Sequence, residues 1–298
     1  MLKNFDELLN ILKNKENKTV IIAAAHTPSA LEAAILSKKE NIAESLLIGD
    51  KKYIIQFFKD NFPDYIDSFE IIDTKEDLVL SARLAIQAAK DGKGDLILKG
   101  KCHTAILLRA ALDKEKGLRT GNSISDVMAY EHPERIVLLS DGGINLYPTL
   151  KEKISIIKNS VKVAHKLHND NPKVALLAAM ELVNPKMPNT LDDAIICKMN
   201  QRGQIKGCII DGPLAFDNAV SKEAADSKGI VSEVAGDADI LIVPSIESAN
   251  IFGKSLTYYC NFRVAHVVMG AKVPILIASR ADTAETKMLS IALSIMCA

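Results

Sequence analysis

The sequence has no tryptophan, few aromatics of any kind (5%) and no excess of either charge, with Lys plus Arg equal to Asp plus Glu at 37 each. The balanced charge excludes a global field that would draw the chain to DNA or to an anionic bilayer, so any anion must be held by a local site. The N-terminal stretch MLKNFDELLNILKNKENK has charges throughout and no uninterrupted apolar run. It reads as neither a secretion signal nor a membrane span, and the expected location is cytoplasmic, with no nucleic-acid or membrane partner. The five cysteines, Cys102, Cys197, Cys208, Cys260 and Cys297, are scattered and never form the close pairs of zinc or redox sites. They are expected to be reduced core thiols. His165 and His168 are spaced to share a helix face but lack an acidic or cysteine companion, so no metal is expected. Gly-x-Gly-x-x-Gly and Walker patterns are absent, which argues against dinucleotide and P-loop chemistry.

What the 298 residues do contain is alternation. Short aliphatic runs alternate with longer helical patterns, the signature of parallel strands joined by crossover helices, and the expected class is α/β in two lobes. Strands are expected at 19–25, 45–48, 69–72, 95–98, 135–139, 174–179, 208–211, 240–243 and 274–278. Helices are expected at 31–37, 78–91, 150–169 and 284–296. The polar segment Lys116–Asn122, with Gly117 and Gly121, is the best boundary between lobes.

In open α/β sheets ligands bind where strands end and helices begin. Three junctions stand out. In DLILKGKCHTAILLR, a turn with Lys99, Gly100 and Lys101 precedes a helix opening near His103 or Thr104, and Arg109 follows within reach; this reads as an anion cradle, or else as a capped helix with solvated lysines. In VPILIASRADTAETK, a strand delivers Ser279 and Arg280 together: a hydroxyl able to hydrogen-bond a thiol or carbonyl, and a fork for two phosphate oxygens. Asp282 and Glu285 just beyond have the spacing of a capping pair. In ADILIVPSIESANIFGKSL, Glu247, Asn250 and Lys254 fall on one helix face, either a ligand face or a solvated one. The stretch Ser140-Asp141-Gly142-Gly143-Ile144-Asn145 also presents Asp141 and Asn145, or forms a plain turn.

These same segments resemble the phosphate acetyl/butyryltransferase family over most of the chain. The resemblance is carried by GDLILKGKCHTAILLRAAL, by LLSDGGINLYPTL, by AADSKGIVSEVAGDADILIVPSIESANIFGKSL and by ASRADTAETKMLSIAL, in that order. It implies a two-domain fold with parallel or mixed sheets flanked by helices, similar to isocitrate and isopropylmalate dehydrogenases. The last segment would return to complete the first domain, giving 1–121 plus 271–298 and 122–270, with the active site in the cleft between them. The implied reaction is reversible transfer of a short-chain acyl group between coenzyme A and inorganic phosphate by direct thiolate attack, without bound cofactor or metal.

By the same resemblance Arg109 and Arg280 hold phosphate, Ser279 bonds the reacting centre and Thr104 joins the phosphate site; Lys99, Gly100, Asp141, Asn145, Glu247, Asn250 and Lys254, read from the junctions above, are the further substrate-binding candidates. The acetyl branch has an aspartate where this chain has Thr286, and an arginine where it has Tyr258. The butyryl branch is therefore the better match, acetyl transfer is the alternative, and Asp282 and Glu285 are the candidate bases. A metal- and nicotinamide-dependent dehydrogenase would need clustered aspartates that are not seen, and a non-catalytic CoA-binding homologue is disfavoured by the intact Ser279 and Arg280. A homodimer or higher assembly is expected from the family.

Overall fold

The computed structural model describes residues 2–279 and 281–298. The chain opens with α1 (Phe5–Leu12), β1 (Lys18–Ala23), α2 (Pro28–Lys39), β2 (Ala43–Gly49) and α3 (Lys51–Asn61). It continues with β3 (Glu70–Asp73), α4 (Leu78–Lys90), β4 (Leu96–Lys99) and α5 (Thr104–Ala111). Then come β5 (Ser125–Glu131), β6 (Ile136–Ser140), α6 (Leu150–Lys166), β7 (Lys173–Leu177), α7 (Pro188–Gln201), β8 (Ile209–Leu214), α8 (Phe216–Val220) and α9 (Lys222–Ser227). Last are β9 (Ile240–Ile242), α10 (Ile246–Tyr258), β10 (Val264–Met269), β11 (Ile275–Leu276) and α11 (Ala284–Cys297).

Contacts divide the chain into two compact units, one of Asp6–Asn122 with Ala265–Ala298, the other of Ser123–Val264 with residues 2–5. In the first, which we call the outer unit, the strand order is β3-β2-β1-β4-β11-β10. All these pairings are parallel except β10 with β11. In the second, the middle unit, the order is β5-β6-β9-β7-β8, parallel except for β5 with β6. Both are mixed sheets flanked by helices, of α/β class. Strands covered on both faces read as continuous apolar runs, which is why β1 and β4 carry Val20 to Ala23 and Leu96 to Leu98 fully buried.

Local chemistry sets the helix starts. Asp50 accepts from the Lys52 and Tyr53 N–H groups to open α3, and Asp77 accepts from Leu80 N–H to open α4. Thr149 with Glu152 forms a capping box on α6, and Ser245 with Ser248 forms one on α10.

The sequence reading omitted β5 and β10, which include the antiparallel partners, and overextended β11 to 274–278. Only Ile275 and Leu276 form the strand; Pro274 has no N–H to donate, though its carbonyl accepts from Ile97 N–H at 3.1 Å. The capping pair expected at Asp282 and Glu285 is also corrected: Thr283 is the N-cap of α11 and accepts from Thr286 N–H at 3.1 Å. Of the expected core thiols, Cys102, Cys197 and Cys208 are buried, whereas Cys260 is exposed just past α10 and Cys297 is half-buried.

Candidate active site

In the outer unit the strand order reverses direction between β1 and β4, since β2 and β3 lie to one side of β1 and β4 and β11 to the other. Ligands in open α/β sheets bind at such a switch point, outside the carboxyl ends of the strands. The Lys99–Thr104 turn stands there. Gly100 N–H donates to the Ala23 carbonyl and Lys101 N–H to the Ala24 carbonyl, both at 2.8 Å. A Cβ on Gly100 would lie 2.2 Å from the Ala24 oxygen, so the close approach of the two strand ends needs glycine.

Lys99 is buried, and its Nζ donates to the carbonyls of Gly100 at 3.3 Å and Cys102 at 3.4 Å. Its ammonium therefore backs the turn from beneath. Thr104 is the first residue of α5 and half-buried, while His103 takes the N-cap position without a side-chain bond.

Because β4 and β11 are parallel neighbours, Ile275 opposite Ile97 and Leu276 opposite Leu98, the chain leaves both strands at the same edge. The Ser279 turn thus emerges beside the Lys99 turn. Ser279 is exposed, its N–H donates to Asp282 Oδ2 at 2.6 Å, and its Oγ accepts from Ala281 N–H at 3.3 Å. Glu285 is exposed in the first turn of α11. Arg280 lies outside the described residues.

Arg109 is exposed on α5 and lines a cavity of about 360 Å³ with Val79, Leu80 and Arg83 of α4, Ile106, and Lys116. The lining does not include Lys99, Gly100 or Thr104. Arg109 lies five positions beyond Thr104, and on a helix that offset turns the arginine well away from the face that carries Thr104.

In the middle unit a second cluster forms where the adjacent parallel strands β6 and β9 end. Asp141 is buried and organises its loop: Oδ1 accepts from the N–H groups of Asp126 at 3.2 Å, Gly143 at 2.9 Å and Ile144 at 3.1 Å. Its Oδ2 accepts from Asn145 N–H at 3.1 Å and from Asn145 Nδ2 at 2.6 Å. Burial and the nearby Asp126 push the Asp141 carboxyl up to about 6, against the hydrogen bonds that favour its ionised form. Asn145 Nδ2 also donates to the Ile124 carbonyl at 2.9 Å.

Asn250 on α10 donates to the Gly142 carbonyl at 3.4 Å, and Tyr147 donates to Glu247. That bond holds the Glu247 carboxyl below its ordinary range. Glu247, Asn250 and Lys254 lie on the exposed side of α10. The structure therefore joins the Asp141–Asn145 loop to α10, and the Lys99 turn to the Ser279 turn.

Two buried polar residues near these turns were given no site role by the sequence reading. His26, just past β1, is buried with its Nδ1 accepting Asp50 N–H at 3.3 Å; burial foremost, then the Lys101 charge, pushes its pKa down. A histidine directly after an apolar strand was the available signal. Lys287 on α11 is the other; it is buried and donates to the Asp282 carbonyl. His165 is engaged with the Gly207 carbonyl at 2.7 Å, and among the described residues no group of three His, Cys, Asp or Glu is placed to hold a metal ion.

Residues 67–295 match the family model described as phosphate acetyl/butaryl transferase. The chain is 45% identical to a phosphate butyryltransferase of Clostridium acetobutylicum, over 100% of this chain and 99% of that protein. It is 43% identical to a phosphate acetyltransferase of Thermotoga maritima, over 97% and 98% of the two. Among solved structures it resembles a branched-chain phosphotransacylase from Enterococcus faecalis V583, with a TM-score of 0.82 at 30% identity over 94% of this chain and 98% of that one.

Proposed function

The chain belongs to the phosphate acetyl/butyryltransferase family, and from that premise we propose that it moves a short-chain acyl group, butyryl by preference, reversibly between coenzyme A and inorganic phosphate. The observation that carries this reading is the 45% identity to a phosphate butyryltransferase over 100% of this chain and 99% of that protein. Acetyl transfer is the second reading, favoured by the nearly equal identity to a phosphate acetyltransferase.

In the synthetic direction the coenzyme A thiolate attacks the acyl carbonyl of the acyl phosphate, a carbon–sulfur bond forms, the carbon–oxygen bond to phosphate breaks, and phosphate departs with its electron pair. Holding both substrates side by side supplies much of the rate by proximity. Ser279 is assigned to hydrogen-bond the reacting carbonyl and Arg280 to offset the charge that develops on oxygen and phosphate; Arg109, which lines the cavity beside α4, would have to turn out of it to share that role. Lys99 and Gly100 shape the cradle that receives an anion, and Thr104 offers it a hydroxyl and a helix-terminal N–H.

Asp141, Asn145, Glu247, Asn250 and Lys254 are assigned to substrate binding from the middle unit. For the base that takes the thiol proton, Asp282 and Glu285 remain the candidates; the Asp282 carboxylate accepts from Ser279 N–H at 2.6 Å.

The finer architecture belongs to the same proposal: domains of 1–121 plus 271–298 and of 122–270, arranged as in isocitrate and isopropylmalate dehydrogenases with the active site in the interdomain cleft. A division of contacts after Asn122 supports the first boundary, whereas the second division falls after Val264, ahead of residue 271, and residues 2–5 group with the middle unit. Catalysis without a bound cofactor, assembly as a homodimer or larger homo-oligomer, and a cytoplasmic location complete it; among the described residues no helix is long and apolar enough to cross a membrane.

The test is thiol release from acetyl-, propionyl-, butyryl- and valeryl-CoA with and without phosphate, in wild type and Arg280→Ala. Phosphate-dependent release that peaks at butyryl and falls by about 100-fold in the variant is the expected result, in line with loss of a charged transition-state contact. A peak at acetyl would select the second reading, and no release from any acyl-CoA would refute both.

A further inference from the structure

Lys287 has no part in the roles assigned above, yet it is costly to place. It sits one turn into α11, 4% exposed, and every residue from Lys287 to Met296 is buried. An ammonium there gives up its hydration, so a partner must compensate. Burial pushes its pKa down; Asp282 pulls against that, the Lys99 charge adds to it, and Glu32 of α2 opposes it.

The compensation is a main-chain oxygen. Lys287 Nζ donates to the Asp282 carbonyl. The Asp282 carboxylate accepts from Ser279 N–H at 2.6 Å, and Asp282 N–H returns a bond to the Ser279 carbonyl at 3.2 Å. One buried cation thus grips a turn that is already closed on Ser279 from both sides. Lys99 does the same for the neighbouring turn through the carbonyls of Gly100 and Cys102.

We propose that Lys287 is a positioning residue for acyl transfer: its ammonium holds the Asp282 carbonyl, so that the 279–282 turn presents the Ser279 hydroxyl in a single orientation. The inference rests on the acyltransferase reading for its consequence in rate, though the brace itself is a physical property of the chain. A loose turn would spend part of its time with the hydroxyl misaimed, lowering turnover while leaving the substrates' binding contacts in place.

Lys287→Met removes the ammonium at similar length, and Lys287→Gln carries an amide too short to reach the Asp282 carbonyl. Hydrogen exchange over residues 277–284 is expected to be about tenfold faster in both variants, as loss of a charged hydrogen bond implies, with exchange along the rest of α11 unchanged. In thiol release kcat falls by about tenfold while KM for acyl-CoA and for phosphate stays within about threefold. Lys287→Met adds nothing further on top of Ser279→Ala, because both act through one hydroxyl. Unchanged exchange at 277–284 overturns the proposal, and so does a full additive loss with Ser279→Ala. If Lys287→Met loosens all of α11, Lys287→Gln decides by the same criteria. A wild type that releases no thiol refutes the acyltransferase reading, while exchange still decides the brace.

Discussion

Replacing Asp141 by Asn tests the middle-unit cluster with a sign as well as a size. The side chain keeps its shape, and an oxygen in the Oδ1 place still accepts from the N–H groups of Asp126, Gly143 and Ile144. The amide nitrogen then faces the two Asn145 donors that Oδ2 accepted, and their loss costs about 1 to 3 kcal/mol with water reaching the half-buried Asn145. A second part depends on pH. The Asp141 carboxyl is pushed from its ordinary 3.8 up to about 6 by burial and Asp126. A group whose pKa is higher in the folded chain binds its proton more readily there, so its stabilising effect is present at low pH and is lost as pH rises through the folded value.

Between about pH 5 and pH 7.5 the wild type gives up about 1.4 kcal/mol from this one group, and the amide, which does not titrate, gives up none. Urea denaturation of both proteins at the two pH values measures it directly. The penalty of Asp141→Asn is expected to be larger at pH 5 than at pH 7.5 by about that amount. A penalty that is the same at both, or that grows toward pH 7.5, would show that the hydrogen bonds outweigh burial and that Asp141 titrates as an ordinary or strengthened acid.

Gly100→Ala puts a methyl 2.2 Å from the Ala24 oxygen and must separate the ends of β1 and β4; a loss of about 1 to 3 kcal/mol in urea denaturation, with a parallel fall in phosphate-dependent thiol release, is expected. In the middle unit the buried Lys153 ammonium lies 3.2 Å from Asp192 and 3.6 Å from Asp193, whose carboxyl burial pushes up to about 7 against the lysine's pull. Lys153→Met strands that carboxyl and should cost about 3 to 5 kcal/mol in the same assay, most of it recovered in the double variant with Asp193→Leu.

The element types along β1, β2 and β4, and the long helices α4, α6 and α11, could be read from apolar runs and helical spacing, because burial on both faces of a parallel strand leaves no polar alternation to confuse it; the edge strand β3 was legible from its Ile71-Ile72 pair alone. What was less legible was antiparallel or short. β5 begins Ser-Asp, and β10 carries His266 within its apolar run; neither advertised a strand. The cap of α11 was misread by one residue, because Asp282 and Thr283 both suit the position and only the fold gives the Asp282 carboxylate another task, receiving Ser279 N–H.

The same division runs through the candidate site. Residue types alone pointed to Lys99 to Thr104 as a candidate cradle, to the Ser279 hydroxyl and to a polar face on α10, since the end of a strand and the start of a helix are local events written in adjacent residues. Motif order likewise tied the whole chain to one family. Which of these segments stand side by side was decided by strand pairing: β4 against β11 joins the Lys99 and Ser279 turns, and β6 against β9 joins Asp141 to α10, over separations along the chain that no local pattern spans. The tertiary structure alone also directed Arg109 into the cavity beside α4 and sank the Lys287 ammonium beneath the Ser279 turn. A side chain's chemistry belongs to its sequence position, but its exposure, its partner and its cost of charge are set by what the rest of the chain packs around it.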